Sequence, residues 1–377
     1  MKRDLQKHIL TDLKKKIVLV SGPRQTGKTT ISKQLTKNYD YLNYDLSEDR
    51  LAIQQKKWDR SKQLVIFDEL HKMRQWKRWL KGIYDTQGIP PQILVTGSAK
   101  LNIHKRVGDS LAGRYFQYRL HPLDLKEVCK NSNMKPEDAF ETLWHCSGFP
   151  EPFLEGNKTY YRRWRQSHID IILRQDLIDI SSVRDIESVQ TLVLLLSKRA
   201  GSTVSYASLA RDLDRDPNTI KRWLELLENL YIIHRVTPYS KKVIRSLKKE
   251  PKFYFYDHAL VDDDGARLEN IVANALKKEL HYLEDTQGLK TSLHYLRTKD
   301  GKELDFLITL DGEPTHIIEV KLSNSDPSKA FDHFGKLLPS ATKIQLVKNL
   351  TRDSSLPNGL HIKNLVPWLT KLELHKE

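Results

Sequence analysis

The sequence predicts an α/β fold with a parallel sheet at its core, followed by a helical region and a second, smaller α/β domain. Three observations support the first part of this prediction. Short apolar runs alternate with helix-compatible stretches across residues 17–123, as they do in doubly wound parallel sheets. A glycine-rich segment separates the first apolar run from the first helix, and a later apolar run ends in two carboxylates. Since ligands bind at the C-terminal ends of parallel strands, we expect a ligand site there.

Composition narrows the classes of protein to consider. The 377 residues suggest two or three domains, and 63 Lys and Arg against 48 Asp and Glu give a net charge of +15. This balance favours a polyanionic partner, with nucleic acid first. Cys129 and Cys146 are the two cysteines, too few for a disulfide framework or a zinc site. No apolar run approaches the ~20 residues that span a bilayer, and no secretory signal is recognised. We therefore expect a cytoplasmic protein with no membrane partner.

The glycine-rich segment has the pattern of a phosphate-binding loop. Gly22, Gly27, Lys28 and Thr29 fit G-x-x-x-x-G-K-[ST] at every fixed position. The glycines let backbone N–H groups surround phosphate oxygens, and the start of the following helix adds its positive dipole end. Lys28 is placed to reach the β- and γ-phosphates, and Thr29 to offer its hydroxyl to Mg²⁺. The candidate nucleotide-binding residues are Gly22, Pro23, Arg24, Gln25, Thr26, Gly27, Lys28, Thr29 and Thr30.

Polar residues that follow later strands complete the predicted triphosphate site. Asp68 and Glu69 end the apolar run that begins at Leu64, so Asp68 is expected to hold Mg²⁺ and Glu69 to polarise the attacking water. Ser98 follows the next buried run, and it is expected to sense the γ-phosphate or orient water, or else to be a turn residue. Arg114 is a candidate cation for the γ-phosphate in its own or a neighbouring subunit, or else a solvated arginine.

These motifs, in this order, resemble a known family. GPRQTGKT, LVIFDE, VTGSA, SLAGR and the Gly148–Glu151 break resemble AAA-type ATPases that carry a C-terminal DUF4143 region. The resemblance extends from Ile17 to about Leu346. It implies ATP hydrolysis with Mg²⁺ in an AAA-type P-loop domain, expected at residues 1–150. It also implies a helical and winged-helix domain at residues 151–260 and a restriction-endonuclease-like α/β domain at residues 261–377.

Residue patterns within the middle region independently indicate a winged helix-turn-helix. A helix that Ser205 can cap is followed by a turn and by a second helix that opens at Asn218 or Thr219. The runs 232–236 and 252–256 predict paired strands, with a basic segment between them. DNA contact and a role as a lid or protein-contact module both remain open. The candidate DNA-contacting residues are Asn218, Lys221, Arg222 and Glu225 on the helix and Lys241, Lys242, Arg245, Lys248 and Lys249 in the wing.

Upstream of this region, residues 159–179 predict a long helix. Tyr161, Trp164 and His168 fall on one side of it. Its arginines are expected to form a solvated basic face; they are Arg162, Arg163, Arg165 and Arg174.

The last constellation is acidic. Asp305 lies in one predicted strand, and Glu319 and Lys321 share a face of its hairpin partner. Glu269, near the start of an upstream helix, can add a third carboxylate. This D…E-x-K set resembles a PD-(D/E)xK nuclease core, with Leu304 in place of the proline. The resemblance implies a Mg²⁺ or Mn²⁺ site in which Lys321 positions or deprotonates water. A salt-bridged hairpin or a decayed nuclease fold fits the same residues.

The sequence therefore supports two alternative hypotheses about function. One is an ATPase that binds DNA and carries a nuclease-like domain, with ATP-regulated, metal-dependent cleavage. The other is a signalling or scaffold ATPase whose nuclease-like domain is inactive and binds a protein partner. A homo-oligomer fits either one.

Overall fold

The computed structural model describes residues 1–97, 111–176, 185–240, 250–323 and 326–375. The chain forms two compact units, residues 1–122 and 123–377. The boundary expected near residue 150 therefore differs from the observed division. The reason is packing: Leu123, Phe140 and Phe153 lie in one hydrophobic core with residues as distant in sequence as Leu374. The regions expected on either side of residue 260 also belong to a single unit.

The first unit alternates strands and helices. Its elements among the described residues are α1 (Gln6–Asp12), β1 (Ile17–Ser21), α2 (Lys28–Gln34), β2 (Tyr39–Asn43), α3 (Ser47–Gln54), β3 (Leu64–Asp68), α4 (Trp76–Gln87), β4 (Gln92–Gly97) and β5 (Tyr115–Arg119). The strands form one parallel sheet in the order β2-β3-β4-β1-β5. Every residue of β1 and β3 is buried, as expected of strands in a covered parallel sheet. The predicted parallel α/β core is confirmed.

The register of this sheet determines which residues share an edge. Ser21 at the end of β1 pairs with Gly97, and Asp68 at the end of β3 pairs with Thr96 of β4. The C-terminal ends of β1, β3 and β4 therefore meet at one edge. Strand β5 occupies residues 115–119 rather than the expected 118–123, because its pairing with β1 begins at Ile17 and Tyr115.

The second unit begins with helices. Its elements are α5 (Leu125–Asn131), α6 (Pro136–Cys146), α7 (Pro150–Glu155), α8 (Lys158–Ile171), α9 (Ile186–Ser197), α10 (Tyr206–Asp212), α11 (Pro217–Asn229), β6 (Ile233–Pro238), β7 (Lys252–Phe255), α12 (Asp264–Gln287), β8 (Thr291–Arg297), β9 (Glu303–Leu310), β10 (Glu313–Lys321), α13 (Ala330–Leu337), β11 (Thr342–Val347), β12 (Ser354–Ser355), β13 (Leu360–Asn364) and α14 (Leu365–Thr370). Helix α8 continues into one π-helical segment, Ile172–Asp176. Tyr161, Trp164 and His168 lie buried on one side of α8, as the sequence predicts.

Helices α10 and α11 followed by the antiparallel pair β6–β7 have the predicted order of elements. The cap of α11 differs from the expected Asn218 or Thr219. Asp216 occupies the N-cap position, and its side chain accepts a hydrogen bond from the backbone N–H of Asn218. The expected basic wing residues 241, 242, 245, 248 and 249 lie outside the described residues.

The second unit also contains a mixed sheet in the order β12-β13-β11-β10-β9-β8-β6-β7. Its centre is the predicted hairpin of β9 and β10, which pair antiparallel. Asp311 and Gly312 connect the two strands with φ values of 49° and 89°, and a tight hairpin turn requires positive φ at both positions. Among the described residues, no helix is both long and apolar enough to cross a membrane.

Candidate functional site

The glycine-rich loop connects the C-terminal end of β1 to the N-terminal end of α2. Gly27 is the N-cap of α2 at φ 89°, a left-handed conformation that favours glycine. Gly22 has φ 151°, and a Cβ atom there would lie 2.2 Å from the carbonyl oxygen of Leu120. Both fixed glycines of the pattern are therefore required by the backbone itself. The loop has the strand-to-helix position that phosphate binding needs.

Lys28 begins α2, and its side chain bends back over the loop. Its Nζ donates hydrogen bonds to the carbonyl oxygens of Gly22, at 3.0 Å, and Pro23, at 2.6 Å. The ammonium group is held by backbone oxygens inside the loop, and the side chain is buried. Thr26 Oγ1 also donates to the carbonyl of Pro23, at 2.9 Å. The loop is thus closed around the ammonium group of Lys28.

Asp68 lies at the end of β3 and is held by hydroxyl groups from three neighbours. Its Oδ2 accepts hydrogen bonds from Thr29 Oγ1, at 2.8 Å, and from the Tyr41 hydroxyl, at 2.7 Å. Its Oδ1 accepts from Thr96 Oγ1. Burial, and then the hydrogen bond to Asp68, raise the pKa of Tyr41 well above its usual value. The two predicted Mg²⁺ ligands, Thr29 and Asp68, are therefore in direct contact.

Glu69 follows Asp68 in a left-handed backbone conformation with φ 56°. Its N–H donates to the carbonyl of Thr96 at 3.0 Å, which fixes the turn. Its Oε2 is buried and, among the described residues, has no hydrogen-bond partner; His71 Nε2 lies 3.6 Å away. Burial raises the pKa of Glu69, while Lys28 lowers it. A carboxylate with an unused buried oxygen and a raised pKa is suited to accept a proton.

The other two residues expected at this site have different outcomes. Ser98 lies outside the described residues. Arg114 immediately precedes Tyr115, which pairs with Ile17 at the start of β1, whereas the loop follows the end of that strand. Arg114 therefore lies at the opposite edge of the sheet, where it forms a two-point ion pair with Asp85 at 2.6 and 3.1 Å. This corrects the expectation of a γ-phosphate contact within the same subunit, and a contact with a neighbouring subunit stays a prediction.

Sequence reasoning missed three residues of this site. Neither Tyr41 nor Thr96 was a predicted site residue, yet both donate to Asp68. Arg3 was not predicted at this site either, yet it is buried and donates to the carbonyl oxygens of Thr26, at 2.8 Å, and His121, at 2.5 Å. The polar residue inside the apolar run before Gly97 was a signal for Thr96. Nothing in the local sequence distinguishes Arg3 from its basic neighbours.

The second unit brings together the predicted acidic set. Asp305 Oδ2 accepts a hydrogen bond from the backbone N–H of Val320, at 2.8 Å, which ties β9 to β10. Lys321 Nζ pairs with Glu319 Oε1 at 2.6 Å. Glu269 on α12 joins this cluster, since Lys252 Nζ lies 3.2 Å from Glu269 Oε1 and 3.9 Å from Asp305 Oδ1. The predicted residues Glu269, Asp305, Glu319 and Lys321 thus share one site.

A buried lysine that the sequence analysis did not single out lies among these carboxylates. Lys252 Nζ on β7 lies 2.7 Å from Glu303 Oε1, 3.2 Å from Glu269 Oε1 and 3.9 Å from Asp305 Oδ1. The Tyr254 hydroxyl also donates to Glu269. Burial alone would lower the pKa of Lys252, but the surrounding carboxylates, Glu269 first, raise it well above its usual value. The surrounding carboxylates therefore favour the charged form of Lys252.

Burial shifts the pKa values of these carboxylates more than the charge of Lys252 does. Burial, and then the charge of Asp305, raise the pKa of Glu269 to about 8 and that of Glu319 to about 7. Burial also raises the pKa of Asp305. Glu319 Oε2 is buried and has no hydrogen-bond partner among the described residues.

These observations test whether the cluster fits a metal ion. In the part of the chain that is described, no group of three or more His, Cys, Asp or Glu side chains is arranged to hold one. The ammonium of Lys252 contacts the carboxylates that a divalent ion would share, and Lys321 is bonded to Glu319. Two lysines pair with carboxylates of the predicted Glu269, Asp305 and Glu319 metal site in this structure, and that site stays a prediction.

Comparison with family models divides the chain into three parts. Residues 14–129 match the model described as AAA domain (AAA_14). Residues 137–263 match a domain of unknown function, DUF8612, and residues 264–367 match a domain of unknown function, DUF4143. The resemblance to an AAA-type protein with a C-terminal DUF4143 region is confirmed.

The chain is also similar to proteins of other organisms and to solved structures. An uncharacterized protein from Mycobacterium tuberculosis is 27% identical over 309 residues, which cover 79% of this chain and 68% of the relative. An uncharacterized protein from Haemophilus influenzae is 22% identical over 391 residues, 94% of each chain. A variant of RuvB from Thermotoga maritima superposes with a TM-score of 0.32 at 16% identity, covering 65% of this chain and 93% of RuvB. A signal transduction ATPase with numerous domains from Pyrococcus horikoshii has a TM-score of 0.22 at 15% identity. The match covers 76% of this chain and 48% of that protein.

Proposed function

We propose that this chain, which combines an AAA domain with a C-terminal DUF4143 region, binds ATP in its glycine-rich loop and hydrolyses it. One observation carries the proposal: Thr29 Oγ1 and Asp68 Oδ2 lie 2.8 Å apart at the edge of the sheet where the loop begins. A hydroxyl and a carboxylate at that position are the protein ligands that Mg²⁺ takes in P-loop ATPases.

Each residue then has a defined role. Lys28 would exchange its backbone contacts for oxygens of the β- and γ-phosphates. Thr29 and Asp68 would hold Mg²⁺, which when bound neutralises charge on the phosphates. Glu69 would accept the proton of the attacking water through its buried oxygen. Tyr41 and Thr96 would keep Asp68 in one orientation through their hydrogen bonds.

Steady-state ATPase measurements test this proposal. Glu69→Gln should lower kcat by about 10²–10⁴-fold, the usual contribution of a general base, with ATP still bound. Lys28→Ala should weaken ATP binding itself. Glu48→Gln is the control, because Glu48 is an exposed carboxylate on α3. Undiminished turnover in Glu69→Gln would remove the role assigned to that residue.

For the second unit we propose DNA binding through α11, which fits a winged helix-turn-helix. Asn218, Lys221, Arg222 and Glu225 are all exposed on this helix, while Ile220, Trp223 and Leu224 are buried. Real phosphate contacts would make the logarithm of the binding constant fall steeply with the logarithm of salt concentration. Arg222→Ala should reduce that slope by about one unit or less. A flat salt response would contradict DNA binding.

A second candidate is favoured by the position of Lys252. The nuclease-like domain would then be a platform that binds a protein partner and does not cleave DNA. Plasmid nicking with ATP and Mg²⁺ or Mn²⁺ separates the alternatives, with the wild type compared with Asp305→Ala. Because Lys252 lies 2.7 Å from Glu303 and 3.2 Å from Glu269, we expect no nicking by either protein. Metal-dependent nicking that Asp305→Ala abolishes would restore the nuclease alternative.

A further inference from the structure

A cavity of about 290 Å³ lies beside α8 in the second unit, far along the chain from the glycine-rich loop. This volume is at the lower end of the range for small-molecule sites. Lys158, Arg162 and Arg165 line it from α8, and Arg267 lines it from α12. The sequence analysis left these α8 arginines as a solvated basic face, so the cavity gives them a shared environment that the sequence did not reveal.

Helix geometry explains why the α8 residues converge. Positions i, i+4 and i+7 lie on one face of a helix, one turn above another. Lys158, Arg162 and Arg165 have this spacing, and Tyr161 lies between them in the cavity wall. Arg163 is exposed on the same helix but does not line the cavity. The helix therefore divides its cations into a set that faces the cavity and one that does not.

The charge of the lining is strongly unbalanced. The four basic side chains share the cavity with one carboxylate, Asp262. Among the described residues, neither Lys158 nor Arg162 forms an ion pair with a carboxylate, and both are exposed. Cations that are brought together without carboxylate partners repel one another unless an anion joins them. Arg267 Nη1 lies 3.8 Å from Asp264 Oδ1, so the positive charge that carboxylates leave uncompensated at the cavity is that of Lys158 and Arg162.

The remaining cations are held in place by the surrounding structure. Arg267 Nε donates to the carbonyl of Val261 at 2.7 Å, and its guanidinium lies over the Trp144 ring, 5.2 Å from the centroid. Arg165 lies 5.8 Å from the centroid of Tyr161. The Tyr161 hydroxyl is fixed by hydrogen bonds to both oxygens of buried Asp257, at 3.0 and 3.1 Å. Two guanidinium groups therefore reach the cavity from rigid supports, a form of pre-organisation that favours binding.

The positive charge of the lining also affects the pKa of a neighbouring histidine. His145 also lines the cavity. Burial, and then the positive charge of Lys158, lower the pKa of His145, and Arg267 lowers it further, while Glu141 acts in the opposite direction.

We propose that this cavity binds a phosphate group. The class of ligand follows from the donors: planar guanidinium groups supply paired N–H donors that match phosphate oxygens, and lysine adds a point charge. The phosphate can belong to a small phosphorylated molecule or to the backbone of a nucleic acid, since both present the same anionic oxygens. This site is independent of the proposed ATP site, because none of its residues lies in the first unit.

Calorimetric titration with inorganic phosphate tests the proposal. All proteins carry Lys28→Ala so that the glycine-rich loop contributes little. Arg162→Gln should weaken phosphate binding at least about tenfold, the effect of losing one charge-assisted hydrogen bond. Arg163→Gln, on the same helix but outside the cavity lining, should leave the affinity within about twofold, the error of such comparisons. Lys158→Gln is a second cavity variant at an exposed position and should weaken binding in the same direction.

A second titration, with single-stranded DNA of about ten nucleotides, distinguishes the two sources of phosphate. Weaker DNA binding in Arg162→Gln than in Arg163→Gln assigns the cavity to nucleic-acid backbone. Equal DNA binding, combined with loss of inorganic phosphate binding in Arg162→Gln, assigns it to a small phosphorylated molecule. If inorganic phosphate does not bind, or binds equally to the Arg162→Gln and Arg163→Gln proteins, the proposal is wrong. ATPase activity in the otherwise wild-type chain should not change in Arg163→Gln.

Discussion

Arg3 Nη1 donates a hydrogen bond to the carbonyl oxygen of Thr26 at 2.8 Å, although 23 residues separate them. The other end of the same guanidinium donates to the carbonyl of His121. One buried arginine thus connects the start of the chain, the glycine-rich loop and the segment after β5. The conformation of the loop depends on residues outside its own motif.

Removal of this connection should affect ATP binding more than chemistry. Arg3→Ala leaves the Thr26 carbonyl without its charged donor, at a cost of roughly 1.5–3 kcal/mol. We expect KM for ATP to rise several-fold while kcat changes little, because neither reacting group is displaced. Lys2→Ala, at an exposed neighbouring position, should behave as the wild type. A fall in kcat without a change in KM would contradict this role.

Gly22 tests the backbone requirement of the loop. In Gly22→Ala the new Cβ would lie 2.2 Å from the Leu120 carbonyl oxygen, so the strand end or the loop must shift. We expect a loss of unfolding free energy of at least about 2 kcal/mol, measured by urea denaturation.

Gly82→Ala is the matched control for that substitution. Gly82 lies within α4, and no heavy atom approaches within 4 Å of its added Cβ. Because alanine is the better helix former, we expect a gain of about 0.5–1 kcal/mol. Equal effects of the two substitutions would show that contact with Leu120 does not limit position 22.

His258 should make the stability of the second unit depend on pH. It is buried, and its Nε2 donates to the carbonyl of Leu143 at 2.7 Å. Burial lowers the pKa of His258 from 6.5 to about 4. Between pH 6.5 and pH 4, His258 therefore binds a proton in the unfolded chain but not in the folded chain. The unfolding free energy therefore has its full value above pH 6.5, and the part that depends on neutral His258 is lost as the pH falls toward 4.

The size of this effect can be measured by urea unfolding at pH 6.5 and pH 5. Over that interval, titration of His258 should lower the unfolding free energy of the wild type by about 2 kcal/mol. His258→Gln keeps an N–H donor but does not titrate, so its stability should fall less than that of the wild type. Parallel pH profiles for the two proteins would show that His258 titrates alike in both states.

Lys252 should control whether the acidic cluster responds to metal ions. Its removal in Lys252→Ala leaves Glu269, Glu303 and Asp305 without their shared cation, which should destabilise the protein by about 3–5 kcal/mol. We expect Mg²⁺ or Mn²⁺, added without ATP, to restore part of the lost Tm. The wild type should show no such shift.

The control for that experiment is Lys302→Ala, because Lys302 forms a solvent-exposed pair with Asp300 at 3.5 Å. It should lose little stability, since exposed pairs contribute about 0–1 kcal/mol. Metal-dependent stabilisation of the wild type, equal to that of Lys252→Ala, would mean that the ammonium does not compete with a metal ion.

Local sequence determined the features that depend on neighbouring residues. The spacing from Gly22 to Thr29 predicted a phosphate loop, and the run ending at Asp68 predicted a strand beside it; both follow from short-range pattern and backbone preference. The β9–β10 hairpin was predicted in the same way, because alternation and a Gly312 turn are local signals.

Tertiary structure decided which distant residues meet. Arg114 was a candidate cation for the γ-phosphate, but sheet register placed it at the other edge, paired with Asp85. Lys252 became the cation of the acidic cluster only through the pairing of β7 with β6 and the packing of α12. The charge of a side chain is known from the sequence, whereas the groups that lie next to it and compensate that charge depend on how distant segments pack.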